Sequence, residues 1–184
     1  MLTASPFSLR RHAARLLLTL VVALVSVAGG LTAPAAASAP TASAMAAKCS
    51  LMANLTIPRP NPRNACQAIA HARHRSTYPA DSCLNFVAQM YGWANTGWRS
   101  PIGMWRNIRP ALRHRKGSNP PAGALAIWKT SNPLGHIALV TRNGVISTDV
   151  RRRGRVNEVR LHWITKNWNA TYLGWVMPHF PTAS

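Results

Sequence analysis

Acidic residues are nearly missing from this chain. Three Asp and Glu stand against 22 Lys and Arg, for a formal net charge of +19. Each acid is therefore informative by its place: Asp81 lies two residues before Cys83, Asp149 follows His136 by thirteen, and Glu158 is the third. Cysteine is equally sparse, at three. Cys49, Cys66 and Cys83 stand seventeen residues apart, far from the two-to-four-residue spacing of a zinc site, so Cys49, Cys66, His71 and His74 do not read as one. No metal or cofactor is expected. Beyond residue 44 no run is long and apolar enough to span a bilayer. That part also lacks repeats and low-complexity stretches.

The N-terminus carries an export signature. Arg10, Arg11 and Arg15 form a basic start, Leu16 to Ala28 a short apolar core, and small residues follow. Cleavage is expected after Ala44, where Ala42-Ser43-Ala44 fits the small-residue rule and Pro40 disfavours the earlier site. Residues 1–44 then form a secretory signal, residues 45–63 a Pro-rich arm, and residues 64–184 one domain with enough chain for a single core. The expected location is extracytoplasmic and wall-associated, with no stable membrane insertion after cleavage. A monomer is expected.

Loss of the signal removes only three arginines, so the exported part stays strongly basic. Such a charge attracts polyanions without specifying a fold. Outside a cell these are anionic wall polymers, peptidoglycan carboxylates and anionic lipid. Specific nucleic-acid binding is not expected: the basic residues are scattered, the densest run (Arg151 to Arg155) falls in a turn, and the chain is exported. An odd number of cysteines in an exported chain leaves one thiol free. Spacing alone allows Cys49–Cys66 or Cys66–Cys83. The first is preferred, because Cys83 has the setting of an activated thiol.

Two helices precede a run of strands. Asn64 is placed to cap a helix through Ala65, Ala68, Ile69 and Ala72. Asp81 or Ser82, with Asp81 favoured, caps a second helix with an apolar stripe of Cys83, Phe86, Val87 and Met90. Residues 92–121 look irregular, with a short helix around Met104 to Ile108. Strands are expected over 124–129, 136–141, 145–150, 156–161 and 172–176, with one helical turn at Ile164 to Trp168. The class is α+β: N-terminal helices packed on an antiparallel sheet of about five strands.

Cys83 at a helix start and His136 at a strand start are the two working parts of a thiol hydrolase. The helix dipole is expected to lower the Cys83 pKa, and the Cys83 backbone N–H to serve an oxyanion. Asp149 is the candidate to orient His136. If Asn143 and Gly144 are the two central turn residues, Arg142 faces Val145, Ala138 faces Asp149 and His136 faces Arg151. His136 and Asp149 then share a face as diagonal neighbours, with backbones roughly 7–8 Å apart. A three-residue loop would shift the register by one and send Asp149 to the other face. Tyr78, Trp105 and Trp128 are candidate substrate-binding residues.

Four stretches carry a resemblance: Cys83-Leu84-Asn85-Phe86-Val87, Pro121 to Trp128, Gly135 to Val140, and Gly144 to Asp149. The chain resembles the NlpC-type and CHAP-type cell-wall cysteine hydrolases, which share a papain-like core, over most of residues 64–184. The resemblance implies a Cys-His dyad with a polar third residue, here Cys83, His136 and Asp149. It also implies cleavage of amide bonds in peptidoglycan stem peptides or cross-bridges. Three features depart from that pattern. Asp81-Ser82-Cys83-Leu84-Asn85 replaces the usual context of the cysteine, Gly123-Ala124 stands in place of Gly-Asp, and Tyr78 lies closer to the cysteine than the family's tyrosine. The alternative is a basic cell-wall-binding module without chemistry, its seven tryptophans and positive charge holding glycan and anionic polymer.

Overall fold

The computed structural model describes residues 57–117 and 119–183. The expected signal segment and most of the arm therefore lie outside the described residues. The order is α1 (Ala65–Arg73), α2 (Cys83–Met90), α3 (Pro101–Asn107), a 3₁₀ turn (Pro110–Leu112), β1 (Arg113–Arg115), β2 (Leu125–Lys129), β3 (His136–Val140), β4 (Val145–Thr148), β5 (Val156–Val159), α4 (Leu161–Trp168) and β6 (Thr171–Val176). The strands form one antiparallel sheet in the order β1-β6-β2-β3-β4-β5. The class is α+β, with helices packed on a multi-stranded antiparallel sheet. The sheet has one strand more than expected, β1. That strand is the basic tripeptide Arg113-His114-Arg115, which carries no apolar alternation and is held by pairing to β6.

α1 begins where its cap dictates. The Asn64 side chain accepts from the Gln67 N–H at 3.0 Å, and the Gln67 side chain accepts from the Asn64 N–H at 2.9 Å. This reciprocal box satisfies two donors that the first helical turn cannot pair internally. α2 is the central helix. Its stripe of Cys83, Phe86, Val87 and Met90 is buried, and Leu84 and Ala88 are buried with it, leaving Asn85 to solvent. It packs against β3 and β4. β3 is buried at all five positions, so it reads as a continuous apolar run rather than an alternating one.

α3 starts at Pro101, with Ser100 accepting from the Gly103 N–H. Proline suits a first helical position, where its missing N–H has no intrahelical role. The single turn expected at Ile164 is instead a helix of eight residues ending at Asn169, which is left-handed at φ 49°.

The β3–β4 turn differs from the expected one. Val140 pairs with Val145 and Leu139 with Ile146, so Arg142 and Asn143 are the central residues. The Thr141 hydroxyl explains the choice. It accepts from the Asn143 and Gly144 N–H groups and donates to Glu158 at 2.6 Å. Gly144 serves the strand contact rather than the turn centre: a Cβ there would sit 2.1 Å from the Val159 carbonyl. The register moves by two residues, which keeps face parity. Asp149 itself lies just past β4, at φ 63°, outside the paired register.

Both ends of the described chain are tied to the loop after α2. Arg59 stacks over Trp93 at 4.1 Å and donates to the Pro181 and Ala183 carbonyls. Asn61 bridges Trp93 and the Pro178 carbonyl. Among the described residues, no helix is long and apolar enough to cross a membrane.

Candidate active site

A cleft of about 370 Å³ opens at the N-terminal end of α2. Cys83 comes from the first position of α2, His136 from the first position of β3, and Asp149 from the residue that follows β4. Residues 98–101, which lead into α3, and the 130–135 connection complete it. The fold thus brings all three residues picked from sequence to one cavity. No hydrogen bond between the Cys83 thiol and the His136 ring is present among the described residues.

The position of His136 is set by the residue before it. Gly135 has φ 74°, and a Cβ there would meet Ile102 at 2.6 Å and the Trp128 carbonyl at 2.7 Å. Only glycine accommodates both the backbone angle and the approach. The imidazole then lies edge-on to Trp168, ring centroids 4.8 Å apart, with Trp128 at 6.2 Å. His136 is 5% exposed, and its Nε2 is buried without a hydrogen-bond partner. Burial lowers its pKa to about 4, opposed by the nearby Asp149 carboxylate.

Cys83 is a free thiol, 8% exposed, which removes the Cys66–Cys83 pairing. Cys66 is a bonded cysteine, and its expected partner Cys49 lies outside the described residues. The expectation of an acidified thiol is not met. Burial raises the Cys83 pKa to about 11, and the Asp149 carboxylate raises it further. The backbone groups of Ile137, Leu84 and Cys83 oppose the rise without cancelling it. The dipole of a two-turn helix is smaller than the cost of charging sulfur in a nearly dry site. Burial therefore favours the thiol and the neutral imidazole over the ion pair.

The start of α2 is also capped differently. Ser82 makes no side-chain cap bond and turns its hydroxyl to the Ala80 carbonyl at 3.2 Å. Asp81, favoured as the cap from sequence, has φ 59° and pairs with Arg153 at 2.6 Å. The first N–H groups of the helix are thus left uncapped by side chains beside the thiol.

Asp149 accepts three hydrogen bonds. Its Oδ2 accepts from the Asp81 N–H at 3.0 Å and from the Thr148 hydroxyl at 2.9 Å, and its Oδ1 from the Gly154 N–H at 2.6 Å. It fastens the segment before Cys83 to the β4–β5 turn. It reaches the thiol and the imidazole through its field, with no hydrogen bond to the ring among the described residues.

The three aromatic candidates fall elsewhere. Tyr78 packs edge-on against Phe86 at 5.2 Å and does not line the cleft. Trp128 is wholly buried and donates to the Thr165 hydroxyl, a core role. Trp105 lines a different hollow of about 400 Å³ with Arg106, Lys129 and Leu173. The aromatics that reach the cleft are Trp98 and Trp168. Trp168 was legible in part: Ile164 and Trp168 stand four apart, on one face once α4 is helical.

No group of three or more metal-ligating side chains occurs among the described residues. Residues 73–151 match the CHAP domain family, a span that includes Cys83, His136 and Asp149. No curated protein and no solved structure matches the chain. The domain match supports a function within a family of cysteine hydrolases and implies a substrate related to peptidoglycan. A CHAP domain is present in this chain, at residues 73–151.

Proposed function

We propose that the protein is an exported cysteine amidohydrolase or endopeptidase that cleaves amide bonds in peptidoglycan stem peptides or cross-bridges. The observation that carries this reading is the shared cleft: a free thiol at a helix start and an unpartnered imidazole open to the same cavity inside a CHAP domain. Residues 1–44 act as the export signal, a Cys49–Cys66 bridge ties the arm, and the protein is a wall-associated monomer.

The resting state is neutral, so the chemistry begins with proton transfer. His136 takes the Cys83 proton as sulfur attacks the amide carbon. The oxyanion meets the uncapped N–H groups at the start of α2. His136 then protonates the leaving amine, and a thioester remains. Water attacks the thioester, giving its proton to His136, and the thiol is restored. The Asp149 field favours the transient imidazolium without a hydrogen bond to it. Excess positive charge holds the protein on an anionic wall, so retention falls with salt.

A non-catalytic wall-binding module is the second reading. What favours it is the burial of both groups, which pushes the thiol pKa up and the imidazole pKa down, away from an ion pair. Incubation of the protein and of Cys83→Ala with sacculi, followed by mass spectrometry of released material, separates the two. Peptide fragments from the parent protein alone support hydrolysis. Sedimentation of both with sacculi, with no release from either, supports the binding module.

A further inference from the structure

We propose that Arg99 is a specificity residue that recognises a carboxylate on the peptide entering the cleft. This rests on the hydrolase reading above and deepens it by naming a feature of the substrate.

The charges in the cleft are unequal in their occupation. Its lining holds two acids, Asp81 and Asp149, and one arginine, Arg99. Asp81 is paired to Arg153, and Asp149 is held by two backbone N–H groups and a hydroxyl. Both acids thus already have partners. Arg99 is exposed and has no hydrogen bond or ion pair among the described residues. Of the three charged side chains lining the cleft, Arg99 is thus the one without a hydrogen-bond or ion-pair partner among the described residues.

The backbone under Arg99 is fixed on both sides. Before it, the Trp98 indole donates to the His179 carbonyl at 2.9 Å, and the Thr96 hydroxyl binds both the N–H and the carbonyl of Trp98. After it, Ser100 caps α3 and Pro101 opens it. A fixed base with a free guanidinium suits a ligand-binding arginine. Its planar array of donors matches a carboxylate in two parallel hydrogen bonds. In the same cleft, Leu134, whose carbonyl accepts from the Ile102 N–H, is the one large apolar side chain left exposed among the described residues, at 55%. A small aliphatic residue beside a carboxylate would use both features.

The test uses Cys83→Ala, so that binding is read without turnover. Two synthetic stem-type peptides differ only at a D-glutamate, which carries a free α-carboxylate in one and a carboxamide in the other. Calorimetry is expected to give the carboxylate peptide about tenfold tighter binding, the usual scale for one charge-assisted contact. In Cys83→Ala with Arg99→Gln, that preference should vanish while affinity for the carboxamide peptide stays unchanged. Arg99→Lys should restore part of it. Equal binding of the two peptides overturns the proposal, as does a preference that survives Arg99→Gln or the absence of binding to either. The hydrolase reading is judged separately, by fragment release from sacculi, so the two can fail independently.

Discussion

The carboxylates of this protein and its two reactive side chains receive opposite treatment. Every acid in the chain is bonded: Asp81 to Arg153, Asp149 to two backbone N–H groups and a hydroxyl, and Glu158 to Arg73 and Thr141. Cys83 meets only backbone groups and the His136 Nε2 meets no partner, and burial drives both towards their neutral forms. The frame is built from satisfied polar contacts, whereas the reacting pair is left short of them. The contrast teaches how a scarce residue type is used. With three acids available, the chain uses two to fasten segments beside the cleft and the third, Glu158, to fasten the β3–β4 turn to α1.

The largest expected effect lies in the pair itself. Cys83→Ala and His136→Ala should each reduce peptide release from sacculi by at least about a thousandfold, as loss of a nucleophile or its base does elsewhere. The melting transition of Cys83→Ala should stay near that of the parent. Retention of parental activity by either variant would break the mechanism.

Asp149 should show the reverse pattern, a structural loss larger than its direct chemical one. Asp149→Ala removes three hydrogen bonds and leaves the Asp81 and Gly154 N–H groups without an acceptor. Destabilisation of about 2–4 kcal/mol in urea unfolding is expected, with activity lowered because the segment before Cys83 is released. Asp149→Asn keeps part of the network and should recover part of the stability. Loss of activity at unchanged stability in both variants would instead give Asp149 the direct His-orienting role expected from sequence.

The neutrality of the pair has its own signature in pH. The folded pKa of His136, about 4, lies below its ordinary 6.5, so the unfolded chain binds more protons between these values. Stability attributable to His136 is therefore complete above pH 6.5 and declines as pH falls towards 4, by roughly 3 kcal/mol in all. His136→Gln should flatten that decline. At the alkaline end the Cys83 pKa of about 11 lies above its ordinary 9.0, so its contribution is lost as pH rises from 9 to 11. Iodoacetamide labelling of the parent should accelerate about tenfold per pH unit from 7 to 10. A plateau in that rate below pH 8 would mean an ionised thiol at rest and would erase the contrast.

Much of this site was legible before the structure. Cys83, His136 and Asp149 were chosen by position in an element, and burial of the α2 stripe and of β3 brings them to one cavity. The details that failed depended on competition between distant groups. Asn143-Gly144 favours a two-residue turn, but Thr141, bonded across to Glu158, moves the turn back by one position. Helix start and helix dipole pointed to an acidified thiol, whereas the depth of burial, set by the packed sheet, reverses the shift. Trp128 and Tyr78 fit a groove by residue type but pack elsewhere, Trp128 through the Thr165 hydroxyl and Tyr78 through Phe86 on the buried stripe of α2. The scattered arginines were also less scattered than they looked. The Thr77–Arg155 bridge sets the segment after α1 against the β4–β5 turn, so Arg75 and the Arg151 to Arg155 run lie on neighbouring backbone.

The smallest expected effect concerns Asp81. Its pairing with Arg153 is short, at 2.6 Å, yet both side chains are largely exposed, 68% and 77%. Solvent screens such a pair and side-chain ordering offsets most of what remains. The backbone of Asp81 does more than its carboxylate, because its N–H is one of the donors that hold Asp149. Asp81→Asn keeps that N–H and tolerates the left-handed φ of 59° as well as aspartate does. Its melting temperature should match the parent within ordinary surface scatter, and peptide release should be unchanged. Asp81→Val places a β-branched residue at that backbone angle and should cost measurably more, since the strain falls on the residue that positions Asp149. If Asp81→Asn proved as damaging as Asp81→Val, the carboxylate would be acting in the cleft, and the division between fastening acids and reacting groups would have to be redrawn.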